Sequence, residues 1–212
     1  MMPGVDYTTR AARFLLGATA HPGGERLTRH LVDRLALRPA AVVADLACGA
    51  GATLAVLRSR GHVAVGVDLT PTQVVGDAQQ LPLRSSTFDA VLIECSLSTF
   101  DRPQDALAEV LRVLRPGGVL GLTDVLLDRS AATAQVVGAI DRLTHARTLA
   151  GYVALIESAG LSVTGTEDRN QDAADLVRRI RRRLPLSRTV RACEQAVGSG
   201  ALSYGLVTAR RP

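Results

Sequence analysis

Ala41-Val42-Val43-Ala44-Asp45-Leu46 followed by Ala47-Cys48-Gly49-Ala50-Gly51 decides the fold. An apolar, β-rich run ends in a carboxylate, and the turn after it carries two glycines, which let a ligand approach the backbone at the mouth of a sheet. A helix is expected over about Thr53 to Arg60, then a second strand over Val63-Ala64-Val65-Gly66-Val67-Asp68. Strand, glycine turn, helix and strand in that order are the start of an open, mostly parallel α/β sheet.

The same alternation continues in both directions. Phe88-Asp89-Ala90-Val91-Leu92-Ile93 is nearly continuous in apolar character, as expected of a strand covered on both faces. A helix is predicted over Asp105 to Leu114, with Arg115-Pro116-Gly117-Gly118 as a tight turn into the strand Val119 to Asp124. A helix over Leu149 to Ser158 leads to a strand near Leu161-Ser162-Val163, and an arginine-rich helical stretch spans Asp172 to Val197. Ala201 to Thr208 closes the sheet and needs no crossover helix if it runs antiparallel. On the N-terminal side, Leu27, Leu31, Val32, Leu35 and Leu37 recur at helical spacing after His21-Pro22-Gly23-Gly24, up to Pro39. The expectation is one domain over 1–212: a helical extension to residue 39, a ligand-binding half over 40–125, and a C-terminal half over 126–212.

The chain has 212 residues, of which 47% are hydrophobic, enough for one full-sized core. No apolar run approaches the roughly 20 residues of a membrane span. The opening Met1-Met2-Pro3-Gly4-Val5-Asp6 lacks the pattern of a signal peptide, so a cytoplasmic location with reduced thiols is expected. Cys48, Cys95 and Cys193 form no CxxC pair and no metal-ligand spacing, and no metal is predicted. The net charge of +5 comes from arginine without any lysine, and aromatics are 3% with no tryptophan. This composition argues against a nucleic-acid reader that stacks bases on aromatic faces.

Asp45 argues against a dinucleotide site, because it sets negative charge where a pyrophosphate would lie, and Leu54 occupies the third small position of GxGxxG. A ligand with an ammonium fits Asp45 better. Asp68 ends the second strand seventeen residues after Gly51, where a carboxylate can accept both hydroxyls of a ribose. Gly76-Asp77-Ala78 before Leu81-Pro82 suggests a loop whose Asp77 reaches the exocyclic amine of an adenine.

With these residues in place the sequence resembles the class I S-adenosylmethionine-dependent methyltransferases, a Rossmann-like, doubly wound fold. DLACGAG looks like their first motif, GVDLT their acidic ribose turn and GDAQQLPL their adenine loop, with FDAVLIECSLSTF and EVLRVLRPGGVLGLTDV as central strands. The resemblance is strong over Val42 to Val125 and looser over Tyr152 to Leu161 and the final strand. It implies S-adenosyl-L-methionine as cofactor, with Asp45, Ala47, Gly49 and Gly51 around the methionine part. It further implies Asp68 and Leu69 at the ribose, Asp77 and Ala78 at adenine, and Glu94 or Cys95 beside the cofactor.

Glu94 to Phe100 and Thr123-Asp124-Val125 look closest to arsenite methyltransferases and to quinone-biosynthesis C-methyltransferases. Arsenic chemistry needs several thiolates. Cys48 lies in the cofactor motif, Cys193 is distant, and residues 131–150 have no cysteine, so Cys95 reads as a small buried residue. The family pattern breaks between Asp68 and Asp77, where the eight residues Leu69 to Gly76 replace a turn, a helix and a third strand. The expectation is a truncated sheet edge and an open adenine pocket.

Transfer from a sulfonium needs no acid, since the leaving thioether is neutral, and needs a base only if the acceptor must lose a proton. The base candidates are Glu94, Asp124 and His145, with His21 also considered, and Tyr7 is a candidate lid. Arg178, Arg179, Arg181, Arg182, Arg183, Arg188 and Arg191 read first as the solvated face of an amphipathic helix, and otherwise as a site for an acidic substrate, an anionic membrane or RNA. The function predicted is methyl transfer to a small-molecule acceptor. The alternatives are a methyltransferase-fold protein that binds cofactor or partner without catalysis, and a dehydrogenase. The acceptor and the oligomeric state, a homodimer included, are left open.

Overall fold

The computed structural model describes residues 21–71 and 73–212. Tyr7, the candidate lid, lies outside them. The elements in chain order are α1 (Gly24–Arg34), β1 (Val42–Leu46), α2 (Ala52–Ser59), β2 (Val63–Asp68), β3 (Val74–Val75), β4 (Phe88–Glu94), a 3-10 turn (Leu97–Thr99), α3 (Pro103–Val113), β5 (Leu114–Leu127), α4 (Ala134–Asp141), α5 (Leu149–Ser158), β6 (Ser162–Asp168), α6 (Asn170–Arg183), α7 (Arg188–Gly198) and β7 (Leu202–Arg210).

The strands form one sheet in the order β3-β2-β1-β4-β5-β7-β6, and β7 runs antiparallel to both of its neighbours. The chain reverses direction across the sheet between β1 and β4, and ligands bind at such switch points, outside the carboxyl ends of the strands. Helices cover both faces. On one, Leu27, Leu31, Leu54 and Leu57 pack with Val43, Ala90 and Leu92; on the other, Ala106, Leu107, Val110, Tyr152 and Ile156 pack with Ala44, Val91 and Ile93. The alternation of neighbouring residues between two cores explains why β1 and β4 read as unbroken apolar runs.

Several boundaries differ from expectation. The turn expected over Arg115 to Gly118 lies within β5, which starts at Leu114 and pairs there with Phe88 before the register shifts toward Ala90. The first helix ends at Arg34 rather than near Pro39, because Ala36 adopts a left-handed φ of 46°. The arginine-rich stretch is two helices, since Pro185 cannot continue the first. The connection 69–76 contains no helix among its described residues, as expected, yet a third strand survives as the two residues of β3, parallel to β2. Val67 pairs with Val74 and Asp68 with Val75, so the chain has only to step across one strand spacing and back about one residue. Five connecting residues can do that; the dozen-residue crossover applies to strands of full length. Sequence reading missed α4, whose N-cap Thr133 accepts from the Val136 N–H.

Candidate cofactor and acceptor site

Three carboxylates meet at the carboxyl edge of β1, β2 and β4. Asp45 is 2% exposed, and its Oδ2 has no hydrogen-bond partner. Burial, then the charges of Glu94 and Asp68, push its pKa well above the ordinary value of 3.8. A buried carboxylate with one bare oxygen is costly to keep ionised unless a cation comes to it.

The turn after Asp45 is held in a sparsely populated shape. Ala47 has φ 56°, Gly49 φ 49° and Gly51 φ 82°, and a left-handed alanine costs about 1 kcal/mol. Asp68 pins this turn from the neighbouring strand. Its Oδ2 accepts the Gly49 N–H at 2.8 Å, while Oδ1 accepts the Thr70 N–H at 2.8 Å and the Thr70 hydroxyl at 2.7 Å. A Cβ at Gly49 would meet nothing within 4 Å, so the turn borders open space on its ligand side. Gly66, by contrast, is closed: a Cβ there would lie 2.6 Å from Cys48 Sγ and 2.7 Å from Leu54 Cδ1. Cys48 therefore packs inward on β2.

Glu94 is nearly buried and fully engaged. It accepts the hydroxyls of Thr28 at 3.0 and 3.1 Å and of Thr53 at 2.9 Å, and His21 Nε2 lies 3.8 Å from Oε2. Neither threonine is a site candidate in the sequence reading, where Thr53 serves only to mark a helix start. They sit on α1 and α2, 66 and 41 residues from Glu94, with no local pattern to announce them. His21 is buried too, with Nδ1 2.8 Å from the Pro22 carbonyl.

The adenine-loop residues sit at the open end. Asp77 Oδ1 accepts the Gln79 N–H at 2.8 Å, so this carboxylate first shapes its own turn, and Ala78 is buried beneath it. Leu69 is 47% exposed beside Asp68.

The other base candidates lie apart from Glu94. By strand alternation Asp124 points to the opposite face of the sheet from Glu94. It is 2% exposed and accepts the Ser98 N–H at 2.8 Å, the Ser98 hydroxyl at 2.7 Å and the Val125 N–H at 2.8 Å. It thus anchors the 3-10 turn after β4. Burial raises its pKa to about 6 against those hydrogen bonds. An acid whose folded pKa is raised binds more protons folded than unfolded, so its contribution to stability falls as pH rises from about 4 to about 6. Urea unfolding across that range is expected to show a decline of up to roughly 3 kcal/mol from this group. Asp124→Asn should remove that slope; an unchanged slope would place its origin elsewhere. His145 is exposed, and its backbone N–H donates to the Ser98 carbonyl at 2.7 Å, so it supports the same turn through its main chain.

Cys95 follows β4 with φ 54°. The residue keeps some exposure, but burial of the thiol, then the charge of Asp124, push its pKa up to about 12 despite a hydrogen bond from Tyr204. No disulfide joins the three cysteines. Burial and the Asp124 charge both disfavour the thiolate at this position. Tyr204 is fully buried, with its hydroxyl 3.0 Å from Thr123 Oγ1.

Comparison with known proteins agrees with this geometry. A methyltransferase domain family matches residues 44–122. The malonyl-[acyl-carrier protein] O-methyltransferase of Enterobacter lignolyticus is 32% identical over 171 residues, covering 73% of this chain and 68% of that protein. This chain belongs to the class I S-adenosylmethionine-dependent methyltransferases. A demethylmenaquinone methyltransferase of Beutenbergia cavernae is 37% identical over 112 residues, 46% of this chain and 47% of its own length. Among solved structures, the geranyl diphosphate C-methyltransferase of Streptomyces coelicolor A3(2) aligns with a TM-score of 0.79 over 98% of this chain and 83% of that one, at 16% identity, which speaks for the shared fold. The methyltransferase family accounts for the glycine turn, the acidic end of β2 and the antiparallel β7 together.

Proposed function

We propose that this methyltransferase transfers a methyl group from S-adenosyl-L-methionine to a small-molecule acceptor by in-line displacement, in the cytoplasm. The observation that carries the reading is Asp45: a buried carboxylate oxygen without a partner, beside the open lip of Gly49. Those residues fit the cofactor. Asp45 would hold the ammonium, the Ala47 to Gly51 backbone would line the methionine part, Asp68 would take the ribose hydroxyls, and Asp77 with Ala78 would border the adenine next to Leu69. When bound, the cofactor supplies an electrophilic methyl group and a neutral thioether leaving group.

The protein's task is then to orient the acceptor and exclude water. Glu94, tied down by Thr28 and Thr53, shapes the floor of the site rather than moving a proton. Half-buried apolar side chains on that face of the sheet, Val125, Ala132, Ala174 and Val177 among them, favour an acceptor with apolar surface. The relatives' names give a carrier-bound malonyl group and a demethylmenaquinone as acceptors of those proteins, and this chain spans about half of the latter's length.

Calorimetry with S-adenosylmethionine and S-adenosylhomocysteine, and NAD as control, tests the reading. Both sulfur compounds should bind in the micromolar range, and Asp68→Ala should weaken them tenfold or more, because it removes both a charged hydrogen-bond acceptor and the clamp on Gly49. Turnover to S-adenosylhomocysteine with an acceptor panel follows. Binding without turnover of any acceptor would favour the non-catalytic alternative, and no binding by folded protein would overturn the cofactor assignment.

A further inference from the structure

Seven of the chain's 25 arginines and none of its 20 carboxylates fall within residues 176–193, the far ends of α6 and α7 and the link between them. The rest of the chain therefore has more carboxylates than arginines. The positive net charge of the whole protein belongs to one hairpin.

Among the described residues, the fully buried anchors of that hairpin lie at its base. The buried residues of α6 are Asp172 and Ala173, and those of α7 are Ala196 and Val197. Asp172 pairs with Arg169 and with Arg26 on α1, and the Asn170 side chain donates to the Val197 carbonyl. Beyond Ala173 no side chain is fully buried until Ala196, and Leu176, Val177 and Ile180 are half covered. At the tip, Leu184 is 43% exposed and Leu186 is 86% exposed, on either side of Pro185.

Arg178, Arg179, Arg181, Arg182, Arg183, Arg188 and Arg191 are all exposed around this tip. Asp175 and Glu194, at the inner margin of the segment, pair with Arg178 and Arg181. Arg182 and Arg188 make no ion pair among the described residues. Arg178, Arg181 and Arg182 also line an open cavity of about 370 Å³ with Pro185 and Glu194.

We infer that the α6–α7 tip docks this protein onto an anionic phospholipid surface, with Leu184 and Leu186 entering the interface and the arginine collar meeting the head groups. Exposed leucines at an apex, ringed by cations, match the interfacial region on both counts. A nucleic acid would satisfy the arginines and leave the leucines in water. The hairpin leaves the sheet at the end of β6, which runs parallel to β5 because both are antiparallel to β7. It therefore rises from the edge that carries Asp45, Asp68 and Glu94, and docking would turn the cofactor edge toward the bilayer. The docking does not depend on methyl transfer.

Vesicle cosedimentation of the full chain tests this, with phosphatidylcholine alone or with about 30% phosphatidylglycerol, at about 50 and about 300 mM salt. The protein should pellet with the anionic vesicles alone, and less at the higher salt. Leu186→Ser should lower the partition coefficient roughly tenfold at unchanged charge, and Arg182→Glu with Arg188→Glu by more than about tenfold. These side chains are exposed, so the thermal midpoint should not move. Absence of pelleting with anionic vesicles at low salt would overturn the inference. So would a Leu186→Ser protein that binds like wild type and is displaced by a short RNA, since charge alone would then explain the surface.

Discussion

Asp45→Asn is expected to stabilise the ligand-free methyltransferase at pH 8 while weakening its hold on S-adenosylmethionine. In the wild type the carboxylate sits buried near Glu94 and Asp68, with Oδ2 bare and its pKa well above 3.8. The unfolded chain ionises this group freely near pH 4, so at higher pH the folded state is penalised relative to the unfolded one. An amide carries no such titration. The gain should be about 1–2 kcal/mol at pH 8, a rise of roughly 2–8 °C in melting temperature, and should vanish as pH falls toward 4. Affinity should drop tenfold or more, because the amide offers no charge to an ammonium. Thermal unfolding and calorimetry on one preparation read both effects. A variant that melts lower, or that binds like wild type, would remove Asp45 from the ammonium site.

Gly23→Ala is expected to produce the largest loss of stability from a single methyl group. Gly23 caps α1 with φ 74°, and a Cβ there would lie 2.6 Å from Leu27 Cβ and 2.9 Å from Asp172 Oδ1. Leu27 is fully buried and its Cβ cannot swing away, so the backbone must shift. Left-handed strain adds about 1 kcal/mol, and overpacking typically adds about 1–3 kcal/mol. A total near 3 kcal/mol corresponds to a fall of roughly 6–12 °C in melting temperature. Because the displaced carboxylate anchors α6, protease cleavage within the hairpin should also accelerate. A melting temperature within about 2 °C of wild type would show that α1 and α6 can move apart easily.

The parts of this molecule that were legible in its sequence are those where one residue's neighbours in the chain decide its state. Asp45 and Asp68 lie at the carboxyl ends of β1 and β2, as the apolar runs before them indicated. The strand over Ala201 to Thr208 was expected to close the sheet antiparallel, and β7 does so. What escaped detection depends on distant partners. Thr28 and Thr53 look like ordinary helix residues until Glu94 arrives between them. Helix α4 was hidden because Val136, Val137 and a mid-helix Gly138 are weak formers, leaving its threonine cap as the local signal. Strand β3 was hidden by its length, since two residues show no alternation. Asp124 reads as a base candidate from its place in the strand alone, and the hydrogen bonds it accepts from Ser98 and Val125 come from partners its neighbours in the chain do not announce.

The short strand β3 reaches only the last two residues of β2, and Val63 at the other end of β2 is 53% exposed. Between them, the Gly66 N–H donates to the side chain of Gln73 at 3.1 Å, an amide standing in for the backbone of a missing partner. The inner edge of β2, bonded to β1, opens only when the sheet itself does. On the outer edge the Gly66 N–H is held by one side chain, on the loop that joins β2 to β3. Solvent exchange of the Gly66 proton therefore keeps time with that loop and not with global unfolding, and a ligand that stills the loop slows this amide before it slows any in the core.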